Sequence, residues 1–242
     1  MLATKVVWSL VLLLVTGCAS SQGFDRPAMI EALHVDPASI SDSLSFTNQD
    51  IRLSPPLRLG VFFTNQDFPY RPSLRKVEWL TTDREQLFRQ LAPLRDEQIL
   101  GAIFVLMDAT LRGENIQGIR QSGARYGADL VLIVDGAAAV DRYNNRSAWL
   151  YPTVIGAYLA PGTESRALVM ITGSLWATHS EWHTPIQIAE GVAQLVGPAV
   201  LTEDNAALRE AKEHALQAIC QRIVDQLRLG VENVPRSLPP SR

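Results

Sequence analysis

DLVLIV, residues 129–134, is the clearest β-strand signal in this chain. Five consecutive apolar residues follow one aspartate, which is typical of a strand buried on both faces of a sheet. Gly127 precedes this stretch and is the kind of residue that commonly ends a helix. The sequence therefore predicts a helix that leads directly into a central strand.

The residues before this strand predict a crossover arrangement. Residues 57–63 and 99–107 form two further apolar runs. Between them, TDRE at 82–85 matches a capping box that opens a helix. Apolar residues at helical spacing predict a second helix over 115–126. Strand, helix, strand, helix, strand is the pattern of parallel strands joined by helices.

The residues after the strand predict an antiparallel meander and a closing helix. Four β-like runs, separated by polar turn segments, cover 130–142, 148–159, 166–178 and 181–189. In 203–229, one helical stripe is apolar and consists of Leu208, Ala211, Ala215, Ile219, Ile223 and Leu227. We therefore predict an α/β (α+β) fold, with a mixed sheet packed by a long carboxy-terminal helix.

The amino terminus predicts export and lipidation. Lys5 precedes an uncharged apolar run that is too short to span a bilayer, and VTG at 15–17 leads directly to Cys18. A cysteine after small residues resembles a bacterial lipobox, which implies that Cys18 becomes the first residue and carries acyl chains such as palmitate. Ala19 follows, where lipoproteins kept at the inner membrane often have Asp. The resemblance thus implies the periplasmic face of the outer membrane.

The chain divides into four predicted segments. Residues 1–17 are a signal peptide, and 18–56, rich in Ser, Asp, Asn and Pro, form a lipidated polar tether with room for one helical turn at 28–33. Residues 57–230 form a single α/β domain, and 231–242, with three prolines, form a disordered tail.

Composition limits the partners. The chain has 22 Lys and Arg against 25 Asp and Glu, a net charge of −3, so it lacks the basic surface that nucleic acids require. Its two cysteines are Cys18 and Cys220. Cys220 has apolar neighbours at helical spacing, which predicts a buried, inert thiol without a disulfide partner.

LYPTVIGAYLAPGTE at 150–164 resembles the signature of the rhombotail lipoprotein family, in which an aromatic residue precedes Thr-x-x-Gly-Ala-Tyr and Pro-Gly-Thr. The resemblance extends over about 58–229 and implies a bacterial envelope lipoprotein, but no activity, because that family has none assigned. Residues 235–242 lack that family's apolar and basic sorting tail. YGAD at 126–129 gives a weaker resemblance to TolB amino-terminal and curli-secretion lipoprotein domains, which bind partners or assemble.

Catalytic motifs are weak. His179, Glu181 and His183 would share one face of an extended segment and could hold Zn²⁺, although a polar turn is the alternative interpretation. Asp135, followed by Gly136, could be an acidic catalytic residue or part of a bend. We find neither a nucleophile motif nor a glycine-rich phosphate loop. The sequence predicts no catalytic residue, metal, cofactor or small-molecule substrate.

The run 148–162 contains no Asp, Glu, Lys or Arg but several aromatic residues. As a buried strand it needs no function; as an exposed face it could contact a partner, another copy or lipid. The candidate interaction residues are Trp149, Tyr151, Thr153, Gly156 and Tyr158.

The leading hypothesis is a non-enzymatic, lipid-anchored periplasmic protein that binds another envelope protein or assembles with itself. One alternative is a protomer of a ring or pore-forming secretion complex, which would require 148–159 or its neighbours to become membrane-inserting strands. A second alternative is a metal-dependent hydrolase that uses His179, Glu181 and His183.

Overall fold

The computed structural model describes residues 21–33, 54–107 and 116–232, which form six β-strands with the helices and loops around them. The predicted signal peptide, Cys18 and the chain beyond Glu232 lie outside the described residues. The elements in order are α1 (Arg26–Ala32), β1 (Leu57–Phe63), β2 (Arg75–Lys76), α2 (Thr81–Leu91), α3 (Pro93–Asp96), β3 (Leu100–Val105), α4 (Ile116–Arg125), β4 (Leu130–Asn144), a 3₁₀ turn (Arg146–Leu150), α5 (Val154–Leu159), β5 (Thr163–Ala177), β6 (Gln187–Gly197) and α6 (Asp204–Glu232).

The sheet is mixed, as predicted. Its strand order is β3-β1-β4-β5-β6, and the two-residue β2 pairs with β4. β1 runs parallel to both β3 and β4, while β4, β5 and β6 are antiparallel. Gly127 has a φ of +70° and ends α4, which leads into β4 as the sequence predicts. The crossover half and the meander half therefore share one sheet.

β4 and β5 form a hairpin longer than the parallel part of the sheet. They pair from Leu130 with Ala177 to Asn144 with Thr163. The partner strand β1 ends where Phe63 pairs with Val134, so the last ten residues of β4 continue past it. Residues 145–162, which connect the two strands, are called the hairpin tip below.

The closing helix covers one face of the sheet. α6 buries its predicted apolar stripe against β5 and β6, and a Cβ at Gly191 would overlap the Ala211 backbone and lie 2.5 Å from Ala215 N. α6 also joins α2 through a buried ion pair, in which Lys212 Nζ lies 2.6 Å from Asp83 Oδ2. Asp83 additionally accepts from Leu80 N and so caps α2.

The opposite face of the hairpin is covered by α1. Met29 is completely buried in a cluster that includes Leu168 and Met170 of β5. The tether predicted for 18–56 therefore differs from the structure over residues 21–33, which pack on the sheet. The local composition suggested a linker because it does not show the apolar surface that covers this short helix. That surface belongs to strands that are distant in the sequence.

Two predicted strands differ from the structure. The run 148–159 is helical, as the 3₁₀ turn and α5, because β4 and β5 pair with each other up to Thr163 and leave no strand for it to join. The strand predicted at 181–189 is instead β6 (Gln187–Gly197), because residues 178–186 form the loop that reverses the chain. The ring or pore alternative therefore has no strand at 148–159, and the neighbouring strands that it also allowed are β4 and β5.

Candidate functional site

The histidine segment is held by an arginine. Arg120 of α4 is buried; its Nε donates to the Ala177 carbonyl at 2.9 Å, and its Nη1 lies 3.3 Å from both carboxylate oxygens of Glu181. The His183 ring stacks on Trp176 with centroids 4.3 Å apart. Within the described ranges, no group of three His, Cys, Asp or Glu side chains could hold a metal. The hydrolase alternative therefore loses its proposed ligand set, and the contacts of Arg120 shape the β5–β6 loop.

Asp135 has a structural role in the sheet. Its carboxylate accepts hydrogen bonds from the Thr64 hydroxyl and from Gly136 N, the latter at 2.7 Å. These contacts join the end of β1 to β4. Asp135 and Gly136 lie within β4 and pair in regular register with Thr172 and Ile171 of β5, so the bend that the sequence offered as one interpretation of this position is wrong.

Cys220 is the buried thiol that the sequence predicts. It is 2% exposed on α6, and burial raises the pKa of the thiol to about 12. The thiolate is the reactive form of cysteine, so this side chain stays protonated and unreactive at neutral pH.

A basic groove of about 410 Å³ lies between β2 and the first turns of α6. Four of its lining side chains are cationic, and three of them already face a carboxylate. Those pairs are Arg75 with Asp204 at 3.8 Å, Lys76 with Asp67 at 3.4 Å, and Lys212 with Asp83 at 2.6 Å. The groove therefore offers less free positive charge to an anion than its residue types suggest.

The hairpin tip exposes large apolar side chains. Trp149 is 75% exposed, Ile155 73%, Tyr158 52% and Leu159 73%, and no residue in 147–163 is charged. Apolar residues that cluster at the surface of a folded protein mark interaction sites more often than isolated ones do. The tip is the strongest candidate for a functional surface in the part of the chain that the structure describes.

Specific contacts build the tip. Thr153 Oγ1 donates to the Leu150 carbonyl at 2.7 Å and accepts from Gly156 N at 3.0 Å, which caps α5. The Tyr151 hydroxyl lies 2.8 Å from Thr163 Oγ1 at the start of β5. A Cβ at Gly156 would overlap the Leu150 carbonyl, so only glycine fits there.

The five predicted interaction residues thus divide into two groups. Trp149 and Tyr158 are exposed and available for contact, while Tyr151, Thr153 and Gly156 set the shape of the tip. Ile155 and Leu159 are as exposed as Trp149 but were not among the predicted interaction residues. The lack of charged residues around Ile155 and Leu159 suggested that these side chains are buried. Thr153, a residue type that favours helix N-caps, followed by helical spacing, was the available sequence signal for α5.

The base of the tip is fixed by a polar network. The Tyr143 hydroxyl donates to Glu164 Oε2 at 2.5 Å, and Asn145 Nδ2 donates to Glu164 Oε1 at 3.2 Å. These hydrogen bonds, that of Tyr143 first, hold the pKa of Glu164 below its ordinary value, and the same contact raises the pKa of Tyr143. The backbone closes the loop where Asn145 N donates to the Gly162 carbonyl at 2.8 Å. The tip therefore stands on a defined support.

A second apolar loop lies at the same end of the sheet. β6 ends where Gly197 pairs with Thr163, and the following Val200 and Leu201 are exposed. Arg142 of β4 holds this loop by donating to the carbonyls of Ala199 at 2.9 Å and Thr202 at 3.1 Å. Apolar surface is therefore concentrated at the end of the hairpin.

None of the helices in the described ranges is both long enough and apolar enough to cross a membrane. The predicted lipidation site, Cys18, lies outside those ranges.

No protein-family model matches the chain, and no curated protein sequence matches it. Solved bacterial structures do show similarity. A Helicobacter pylori protein described as a homologue of a neuraminyllactose-binding hemagglutinin has 12% identity and a TM-score of 0.39, over 78% of this chain and 92% of that chain. A PelC variant of Paraburkholderia phytofirmans, described as a dodecamer, has 10% identity and a TM-score of 0.30, over 70% and 93%.

A Xanthomonas campestris protein of the DUF330 family has 13% identity and a TM-score of 0.30, over 78% of this chain and 95% of that chain. These similarities do not confirm the rhombotail resemblance. At such low TM-scores they assign neither a family nor a function to this chain.

Proposed function

We propose that this protein is a lipid-anchored bacterial envelope protein that acts by binding and not by catalysis, with the hairpin tip as its contact surface. The observation that carries the proposal is the exposure of four large apolar side chains on a tip that has no charged residue after Arg146 and whose conformation is fixed by hydrogen bonds. The lipobox-like sequence at Cys18 supports the anchor and the envelope location.

The energetics favour contact by the tip. Covering a side chain of the size of Leu or Ile contributes about 1.5–3 kcal/mol, so covering the tip would favour association by several kcal/mol. The tip is also preorganised by the cap at Thr153 and by the glycine at 156, which reduces the entropy lost on binding. Self-association through the same surface is one form this binding could take.

Photo-cross-linking in intact cells tests the contact surface. We expect a diazirine-bearing residue in place of Trp149 to form adducts with protein or lipid, because this position is exposed on the tip. Tyr126 is the matched control, since it is also an exposed aromatic residue but follows α4 at the other end of β4. Adducts at position 149 that do not exceed those at position 126 would contradict the proposed contact surface.

A further inference from the structure

The amino-terminal end of the folded chain is fastened beside the hairpin tip. Ser21 Oγ donates to Asp141 Oδ2 at 2.5 Å, and Gly23 N donates to the same oxygen at 3.0 Å. Asp141 is only 8% exposed and lies on β4, three residues before the strand ends at Asn144. A carboxylate that accepts two hydrogen bonds in a buried position fixes the chain at that point.

The residues that follow continue this attachment along the sheet. Asp25 caps α1 by accepting from Ala28 N at 3.0 Å, and Met29 is buried against β5. Arg26 pairs with Glu190 of β6 at 2.9 Å. Residues 21–33 therefore lie along the sheet, with their amino-terminal end at Asp141.

This attachment limits where a lipid on Cys18 can lie. Cys18 precedes Ser21 by three residues, which span at most about 10 Å when extended. The three residues from Asp141 to Asn144 cover about 10 Å of strand. In contrast, the start of β4 at Leu130 lies roughly 35 Å from Asp141 along the strand. An anchored Cys18 therefore brings the membrane to the end of the molecule that carries the tip.

We propose that the hairpin tip lies in the interface of the bilayer that holds Cys18, with Trp149, Ile155, Tyr158 and Leu159 among the lipid headgroups and upper acyl chains. This inference rests on the proposed function and names the contact of its binding surface. Trp and Tyr favour the membrane–water interface, and the lack of charge in 147–163 avoids the cost of burying an ion there. The exposed Val200 and Leu201 lie at the same end and extend the apolar contact.

The short connection explains why lipid is favoured over a protein partner. With Cys18 held in the bilayer, the tip has a high effective concentration at the membrane surface. The inserted state of its four side chains is therefore populated even if their affinity for the bilayer is weak. A protein partner would have to displace this contact or reach between the tip and the bilayer.

Depth-dependent quenching tests this orientation. The full lipidated chain carrying Tyr158→Cys is labelled with an environment-sensitive fluorophore and reconstituted into vesicles of phosphatidylethanolamine and phosphatidylglycerol that contain nitroxide lipids. Labelling is confined to the new cysteine, because lipidation blocks the Cys18 sulfur and Cys220 is buried. The matched control is Tyr126→Cys, which replaces an exposed tyrosine at the opposite end of the hairpin.

We expect quenching at position 158 to exceed that at position 126 by about three-fold or more, since interfacial residues enter the boundary by about 5–10 Å. Equal quenching at the two positions, in protein that floats with the vesicles, overturns the inference and leaves the lipid anchor intact. A label at 158 that is unquenched, together with a diazirine at position 149 that forms adducts only with a second copy or another protein, also overturns it. Protein that fails to float overturns both proposals, and Trp149→Cys provides a second labelled position if Tyr158→Cys does not fold.

Discussion

Gly191→Ala is expected to destabilise the fold by about 3 kcal/mol or more, a large part of the stability of a typical domain. The added methyl group would overlap the Ala211 backbone and lie 2.5 Å from Ala215 N. These are backbone atoms of a helix and cannot move aside as a flexible side chain can. α6 would have to lift from β6, which would expose the apolar stripe that packs there.

Urea unfolding of the mature chain carrying Cys18→Ser, a soluble form, measures this effect. Gly230→Ala is the matched control, because it adds the same methyl group to α6 at a position with no atom within 4 Å. Its stability should equal or slightly exceed that of the parent chain, since alanine is a better helix former than glycine. Equal stability of the Gly191→Ala and Gly230→Ala chains would show that α6 does not approach β6 as closely as described.

Asp83→Ala is expected to cost about 3–5 kcal/mol, because it leaves Lys212 as an unpaired charge in a buried position. Asp83 also accepts from Leu80 N, so the substitution removes the cap of α2. Among the described residues, Lys212 would retain its hydrogen bond to the Glu78 carbonyl at 2.8 Å. The contact between α2 and α6 should therefore loosen.

A double variant separates the charge from the packing. Asp83→Leu combined with Lys212→Met should recover stability to within about 2 kcal/mol of the parent chain, because apolar pairs often replace buried ion pairs at little cost. Glu97→Gln, which removes an exposed partner of Arg228, is the control and should leave the urea midpoint close to that of the parent. A double variant as unstable as the sum of its single substitutions would argue against the Asp83–Lys212 pair.

Most of the sheet could be predicted from sequence because its signals are local. The stretch at 129–134 is apolar on both faces and follows a helix-ending glycine, and the structure places it in the centre of the sheet as β4. The stripe of α6 is likewise visible from its spacing. Patterns of this kind depend on neighbours within one element.

The tip and the amino-terminal segment could not be predicted in the same way. The lack of charge at 148–162 suggested a buried strand. Such a strand needs a free strand edge to pair with, and β4 and β5 already pair with each other along their whole length. The attachment of Ser21 depends on Asp141, 120 positions later. Long-range contacts of this kind leave no periodic signal in either segment.

We propose that the mature chain is anchored through Cys18 and that this anchor places the hairpin tip at the membrane. The most direct test is the mass of the amino-terminal peptide of the protein purified from bacterial membranes. We expect a peptide that begins at Cys18 and carries a diacylglyceryl group on sulfur and an acyl chain on the amine. A peptide that begins at another residue, or at an unmodified Cys18, would contradict it.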